Sequence, residues 1–265
     1  MRSNVIKCFA GILIVLLLGA CSQEDKRQQS SQEAELTVSA AASMKDALTE
    51  IQKLYEKEYP NVKLFFNFGA SGALQQQIRQ GAPVDLFLSA ATDKFDSLVE
   101  SGHIDNDYWT NLVGNELVLI QPKNPTTKLT GFDDLVNSNV TKISIGTPES
   151  VPAGKYSKET FETIGIWNNV KDKLVFAKDV RQVLTYVETG NVDAGVVYKT
   201  DALGSEKVRI VGSAEKTAHS PIVYPLGVIK QSNNKEEAIS LFTFLKGDQA
   251  QKIFTEYGFI SLIEK

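Results

Sequence analysis

Cysteine is nearly absent: the chain of 265 residues holds two, Cys8 and Cys21. Cys8 lies in a segment that reads as a removable export signal, so the mature chain has no internal disulfide and its stability must come from packing. Histidine is as scarce. His103 and His219 sit on loops by pattern, with no cysteine near either, which points to surface or structural roles rather than zinc. Runs of Lys and Arg are missing too, which argues against nucleic acid and against a polyphosphate held by bulk charge. One long apolar run exists, Phe9 to Leu18, and it is too short to span a bilayer as an ordinary helix. After residue 36 there is no low-complexity stretch and no internal repeat.

What is present is a balanced composition, 42% hydrophobic and 23% charged, in a length that suits two α/β lobes. Arg2 and Lys7, the apolar run and Leu18-Gly19-Ala20 form a basic n-region, an h-region and a small-residue cleavage site. The tetrad Leu18-Gly19-Ala20-Cys21 resembles the lipobox of bacterial lipoproteins. That resemblance implies a signal peptide over 1–20 and lipid on Cys21. Residues 22–34 carry no large apolar side chain and cannot bury enough surface to fold, so 21–35 reads as a lipidated cysteine with a flexible tether. Cleavage removes Arg2 and Lys7, leaving 26 basic against 32 acidic residues, a net charge of −6.

From residue 36 onward strands alternate with helices, the signature of βαβ units. Glu35-Leu36-Thr37-Val38 reads as a strand. It leads through Ser43 into a helix with apolar positions 44, 47, 48, 51, 54 and 55, ending at Tyr59-Pro60. Ser43 stands where an N-cap is expected, able to accept a first-turn amide and to donate outward beside the positive end of the helix. The pattern recurs at Val62–Phe68, Gly69-Ala70-Ser71-Gly72 and a helix closed by Gly81 and Pro83, then at Asp85–Ser89 with Asp93 as the expected cap of a short helix. A polar loop is expected around Trp109. Asn115–Pro122 reads as a strand with no prompt helix after it, and the alternation resumes at Lys142–Ile145. Pro152 fits a first helical position, Asp179-Val180-Arg181 opens another helix, and Tyr198 ends a strand.

These elements predict two lobes, 36–117 plus 224–265 and 118–223, joined by two crossings that act as a hinge around a ligand cleft. Four strand-to-helix junctions then face one point from the carboxyl ends of strands: Ser43, Ser71, Val151-Pro152-Ala153 and Asp179-Val180. With Tyr198 they supply two hydroxyls, free amides and a phenol, with no Arg, Lys, His or metal ligand. Such a set suits an anion. Two catalytic readings fail on spacing. Ala153-Gly154-Lys155-Tyr156 lacks the glycine and the Ser/Thr of a phosphate loop, with Glu149 and Tyr156 standing at those places. Ser43 and Lys45, two apart at a helix start, point away from each other.

The same residues resemble the periplasmic molybdate-binding proteins of ABC transporters. The resemblance runs from Ala40-Ala41-Ala42-Ser43 through Phe68–Gly72, Gly81–Phe87, Val151–Tyr156, Asp179-Val180-Arg181 and Gly195–Tyr198 to Leu245–Ala250 and Tyr257-Gly258-Phe259. It implies a two-lobed type II periplasmic-binding-protein fold and an oxyanion held by Ser43, Ser71, Ala153, Val180 and Tyr198. The ligand would be molybdate or tungstate, with no cofactor and no metal-ion ligand in the protein. It further implies a monomeric, non-enzymatic binding protein, lipid-anchored on the extracytoplasmic face of the membrane and serving a permease with its ATPase. The chain departs from the family's serine run at Gly72 and Ala73. A sulfate or phosphate receptor is the alternative within binding proteins. An extracellular sensor or an enzyme is the alternative outside them, and a sensor's signalling partner or membrane segment is not visible in the sequence.

Overall fold

The computed structural model describes residues 33–264, and the expected signal, Cys21 lipidation and most of the tether lie outside them. The described body is α/β and contains two mixed sheets. In chain order it begins with β1 (Ala34–Ala41), a short 3-10 turn (Ala42–Met44), α1 (Lys45–Glu58), β2 (Val62–Gly69), α2 (Ser71–Arg79), β3 (Leu86–Leu88) and α3 (Thr92–Glu100). Two long strands follow, β4 (Ile104–Gly114) and β5 (Leu117–Pro122), and then β6 (Ile143–Gly146), α4 (Pro152–Thr163), α5 (Trp167–Val170), β7 (Leu174–Ala177) and α6 (Val180–Glu188). The chain closes with β8 (Ala194–Tyr198), α7 (Lys199–Leu203), β9 (Val208–Ser213), β10 (Val223–Ile229), α8 (Lys235–Lys246), α9 (Asp248–Glu256) and β11 (Ile260–Ser261).

The first sheet has the order β11-β4-β10-β3-β1-β2 and the second β7-β6-β8-β5-β9. In each, a parallel trio carries the helices, and antiparallel strands are added beside it: β1 pairs parallel with β2 and β3, and β6 with β7 and β8. Strands β10 and β5 join these trios antiparallel. The chain leaves the first sheet between β4 and β5 and returns between β9 and β10. Leu117 therefore belongs with the second sheet and Val223 with the first, each one residue from the boundary expected from the sequence. Trp109 lies within β4, not on a loop. Its exposed positions are Asn106, Asp107, Trp109 and Asn111, three of them polar, and this run of polar residues conceals the strand in the sequence.

The apolar periodicity works as the helical pattern requires. Ala47, Leu48, Ile51 and Tyr55 of α1 are buried, as are Val180, Val183, Leu184 and Val187 of α6. Gly81, Gly102 and Gly190, which end α2, α3 and α6, all have positive φ. A main apolar core runs through both sheets, and a smaller one of Leu74, Ile78, Phe87, Phe95 and Leu98 lies under α2 and α3.

Candidate functional site

Register brings the two serines side by side. In the parallel β1–β2 pair, Ala41 stands opposite Gly69, so the residues two positions beyond each strand end, Ser43 and Ser71, emerge at neighbouring carboxyl ends. The second sheet repeats the arrangement: Gly146 stands opposite Ala177, and the chain beyond these ends reaches Ala153 and Val180 at the starts of α4 and α6. Tyr198 ends β8, the other parallel neighbour of β6. Ser43, Ser71, Ala153, Val180 and Tyr198 line one small cavity, together with Ala42, Gly69, Ala70, Ala90, Val151, Pro152 and Asp179. All five expected residues are thus brought to one place by strand register and helix starts.

Their local roles differ from the capping pattern. Ser43 lies inside the 3-10 turn and makes no cap hydrogen bond; its Oγ is 2.9 Å from the Tyr224 hydroxyl. Ser71 is the first residue of α2, after the uncapped Ala70, and its Oγ accepts the Ala90 amide at 2.9 Å. Asp93 likewise does not cap α3, which follows Ala91. Whereas Asp93 pairs with Lys94 of its own helix at 3.3 Å as well as with Lys155 at 3.6 Å, both serine side chains are turned from their own helices toward another element. This releases the first-turn amides from side-chain competition and leaves the serine hydroxyls available to the cavity. Asp179 does cap, accepting from the Gln182 amide at 2.9 Å. Its carboxylate, the only one on the cavity wall among the described residues, is engaged with its own helix.

The amides of Ala153 and Val180 occupy first-turn positions that have no intrahelical acceptor. Pro152 at the helix start removes one N–H and presets φ for the turn. Gly154 is required by packing: a side chain there would run into the Gly146 carbonyl, so α4 rests directly on the end of β6. Tyr198 is 1% exposed, and its hydroxyl has no hydrogen-bond partner. Burial holds the Tyr198 and Tyr224 hydroxyls well above the usual phenol range, so both remain neutral donors. An unpartnered buried O–H costs roughly 1–3 kcal/mol. Its place on the cavity wall is what a ligand rich in acceptors would compensate.

The lobes are closed on each other around this cavity. The Gly72 amide donates to the Ser150 carbonyl at 3.0 Å, and a Cβ at Gly72 would stand 2.7 Å from that oxygen. The departure from a serine run at this position therefore has a steric reason. Arg181 of α6 reaches Asp46 of α1 at 2.8 Å and the buried Asp201 at 3.5 Å, while Lys155 approaches Asp93 at 3.6 Å. The Tyr156 hydroxyl donates to the Ala90 carbonyl at 3.4 Å. Sequence reading missed Tyr224, Asn115 and these latches, because their partners lie far away in the chain. Among the described residues no group of three or more His, Cys, Asp or Glu could hold a metal ion.

The sequence and the fold are matched by known proteins. The family model for bacterial extracellular solute-binding proteins covers residues 36–260. A Bacillus subtilis protein named "Putative ABC transporter substrate-binding lipoprotein YvgL" is 54% identical over 94% of this chain and 95% of its own. The molybdate-binding protein ModA of Haemophilus influenzae is 37% identical, over 85% of this chain and 90% of its own. Among solved structures, the "substrate binding domain of putative molybdenum ABC transporter from Clostridium difficile" is 45% identical, with a TM-score of 0.68 over 86% of this chain and 99% of that one. The Azotobacter vinelandii periplasmic molybdate-binding protein shares the fold, with a TM-score of 0.77 at 21% identity over 85% of this chain and 98% of its own. With a family model matched over residues 36–260 and relatives 54% and 37% identical over most of the chain, the chain belongs to the bacterial extracellular solute-binding protein family.

Proposed function

We propose that this protein captures molybdate, and tungstate by the same geometry, at the extracytoplasmic face of the cell membrane and passes it to an ABC importer made of a permease and a separate ATPase. In this reading lipid on Cys21 tethers the protein, residues 22–34 give it reach, and it acts as a monomer. The observation that carries the reading is the cavity wall: Ser43, Ser71, Ala153, Val180 and Tyr198 offer hydroxyl, amide and phenol donors, and among the described residues no Lys, Arg or His lines it.

A dianion without protons needs donors on every side. Short hydrogen bonds from fixed neutral groups and two helix starts offset its lost hydration without burying a counter-charge that would need partners of its own. Monohydrogen phosphate brings a proton that would face a donor, at a cost of roughly 1–3 kcal/mol. Sulfate carries no proton, so size alone must reject it. Tungstate resembles molybdate in both respects, and one cage serves both. Molybdate-binding relatives at 37% identity support the choice of ligand. Binding draws the lobes together, with the Gly72–Ser150 and Arg181–Asp46 contacts holding the closed form.

The test is calorimetric titration of the purified protein with molybdate, tungstate, sulfate and phosphate at one pH. Micromolar or tighter binding of the first two, roughly 8 kcal/mol or more, without heat from the others, is the expected result. Preferential binding of sulfate or phosphate would overturn the ligand assignment while leaving the oxyanion site in place.

A further inference from the structure

Behind Ser43 lies a buried polar chain that reaches the crossing between the lobes. Tyr224 of β10 is fully buried, and its hydroxyl stands 2.9 Å from Ser43 Oγ. Asn115, in the two-residue connection between β4 and β5, donates from Nδ2 to the Tyr224 hydroxyl at 3.2 Å and to Thr200 Oγ1 at 3.0 Å. Its Oδ1 accepts the Glu116 amide at 2.9 Å, which fixes the end of the side-chain amide that faces the tyrosine.

Counting donors and acceptors along this chain favours one direction. Asn115 supplies one N–H to Thr200 and one to Tyr224. The Tyr224 oxygen is thereby an acceptor, and because Asn115 presents no acceptor to it, its single proton is satisfied when Ser43 Oγ, 2.9 Å away, accepts it; the distance itself admits either oxygen as donor. Ser43 Oγ accepts in turn, which leaves its own proton for the cavity it lines. Ser71 is filled from behind in the same way, by the Ala90 amide. Burial pushes the Tyr224 hydroxyl well above the usual phenol range, so it carries its proton at neutral pH.

We propose that Asn115 and Tyr224 are positioning residues that commit the Ser43 hydroxyl to donating into the cavity, and thereby set the discrimination against protonated oxyanions. The inference rests on the oxyanion reading above and deepens it. Without the Tyr224 hydroxyl, Ser43 is free to turn its proton away and present a lone pair, so a ligand O–H finds an acceptor. Asn115 also bridges Tyr224 of the first lobe to Thr200 of the second, so the donor direction at Ser43 is coupled to the lobe arrangement.

The test is a double-mutant cycle of Tyr224→Phe and Ser43→Ala, titrated with sodium molybdate and with phosphate at a pH where monohydrogen phosphate predominates. Tyr224→Phe is expected to weaken molybdate binding about tenfold, to cost nothing further in the Ser43→Ala background, and, with phosphate affinity read by competition against molybdate, to narrow the molybdate-to-phosphate affinity ratio. Equal losses in both backgrounds, or parallel losses for both anions, would mean a merely structural role and overturn the proposal. Unchanged molybdate affinity in Tyr224→Phe would overturn it as well. Should Tyr224→Phe fail to fold, Asn115→Ala takes its place, with the same non-additivity required. If wild type binds sulfate instead of molybdate, the ligand assignment falls and the cycle is run with sulfate; binding of none of these anions overturns both readings.

Discussion

Replacing Tyr198 by Phe should move stability and affinity in opposite directions. The ring is 1% exposed and packs edge-on to Tyr224 at 5.7 Å between centroids, so the phenyl ring of the variant keeps the packing. The hydroxyl has no partner inside the protein. Its removal relieves the closed form of an unsatisfied buried donor, worth roughly 1–3 kcal/mol. On an oxyanion the same group makes a hydrogen bond to a charged acceptor, worth about 1.5–3 kcal/mol, or about 10- to 150-fold in Kd. The ligand-free variant should therefore melt no lower than wild type, while its molybdate isotherm weakens by that factor and ligand-induced stabilisation shrinks with it. Calorimetric titration and thermal melting with and without molybdate measure both quantities. An unchanged isotherm would show that the hydroxyl points away from the ligand. A lower melting temperature with wild-type affinity would refute the reasoning about its unpaired donor.

Other perturbations separate the parts of the site. Ser71→Ala removes both a cavity donor and the acceptor of the Ala90 amide; a stability loss of about 1–3 kcal/mol with a tenfold or greater loss of affinity is expected, and wild-type affinity would remove this serine from the site. Gly72→Val places a side chain against the Ser150 carbonyl, so small-angle scattering of the molybdate-saturated variant should show a more open molecule than wild type; identical scattering would mean that the lobes close without this contact. Asp201 is pushed up to about 7 by burial, against the opposing pull of the Arg181 guanidinium. Between the ordinary carboxylate range and pH 7 the folded chain then holds a proton that the unfolded chain has lost, so this group's contribution to stability falls as pH rises through that window. Asp201→Asn should match wild type near pH 4–5 and gain on it toward pH 8, and parallel stability curves would contradict the assignment.

How much was legible in the sequence depends on how local the cause was. Helix α1 and helix α6 follow from apolar spacing, Pro152 and Asp179 from the chemistry of a helix start, and the βα alternation from elements each shorter than about fifteen residues. The five cavity residues were legible because each lies at a strand-to-helix junction and the family resemblance runs through those same positions. Strand β4 was not, since its run of Asp105, Asn106, Asp107, Thr110 and Asn111 reads as a polar loop, and neither was the absence of serine caps, since Ser43 and Ser71 turn toward Tyr224 and Ala90 instead.

By itself the sequence determined the elements, the junctions and the kinds of donor they carry, because propensity, periodicity and helix-end chemistry act over a few residues. Only the tertiary structure decided which way each hydroxyl faces and what closes the lobes. Ser43 with Tyr224, Arg181 with Asp46, and Gly72 with Ser150 are each separated by scores of residues in the chain, and they meet only once both sheets have formed and their registers are fixed.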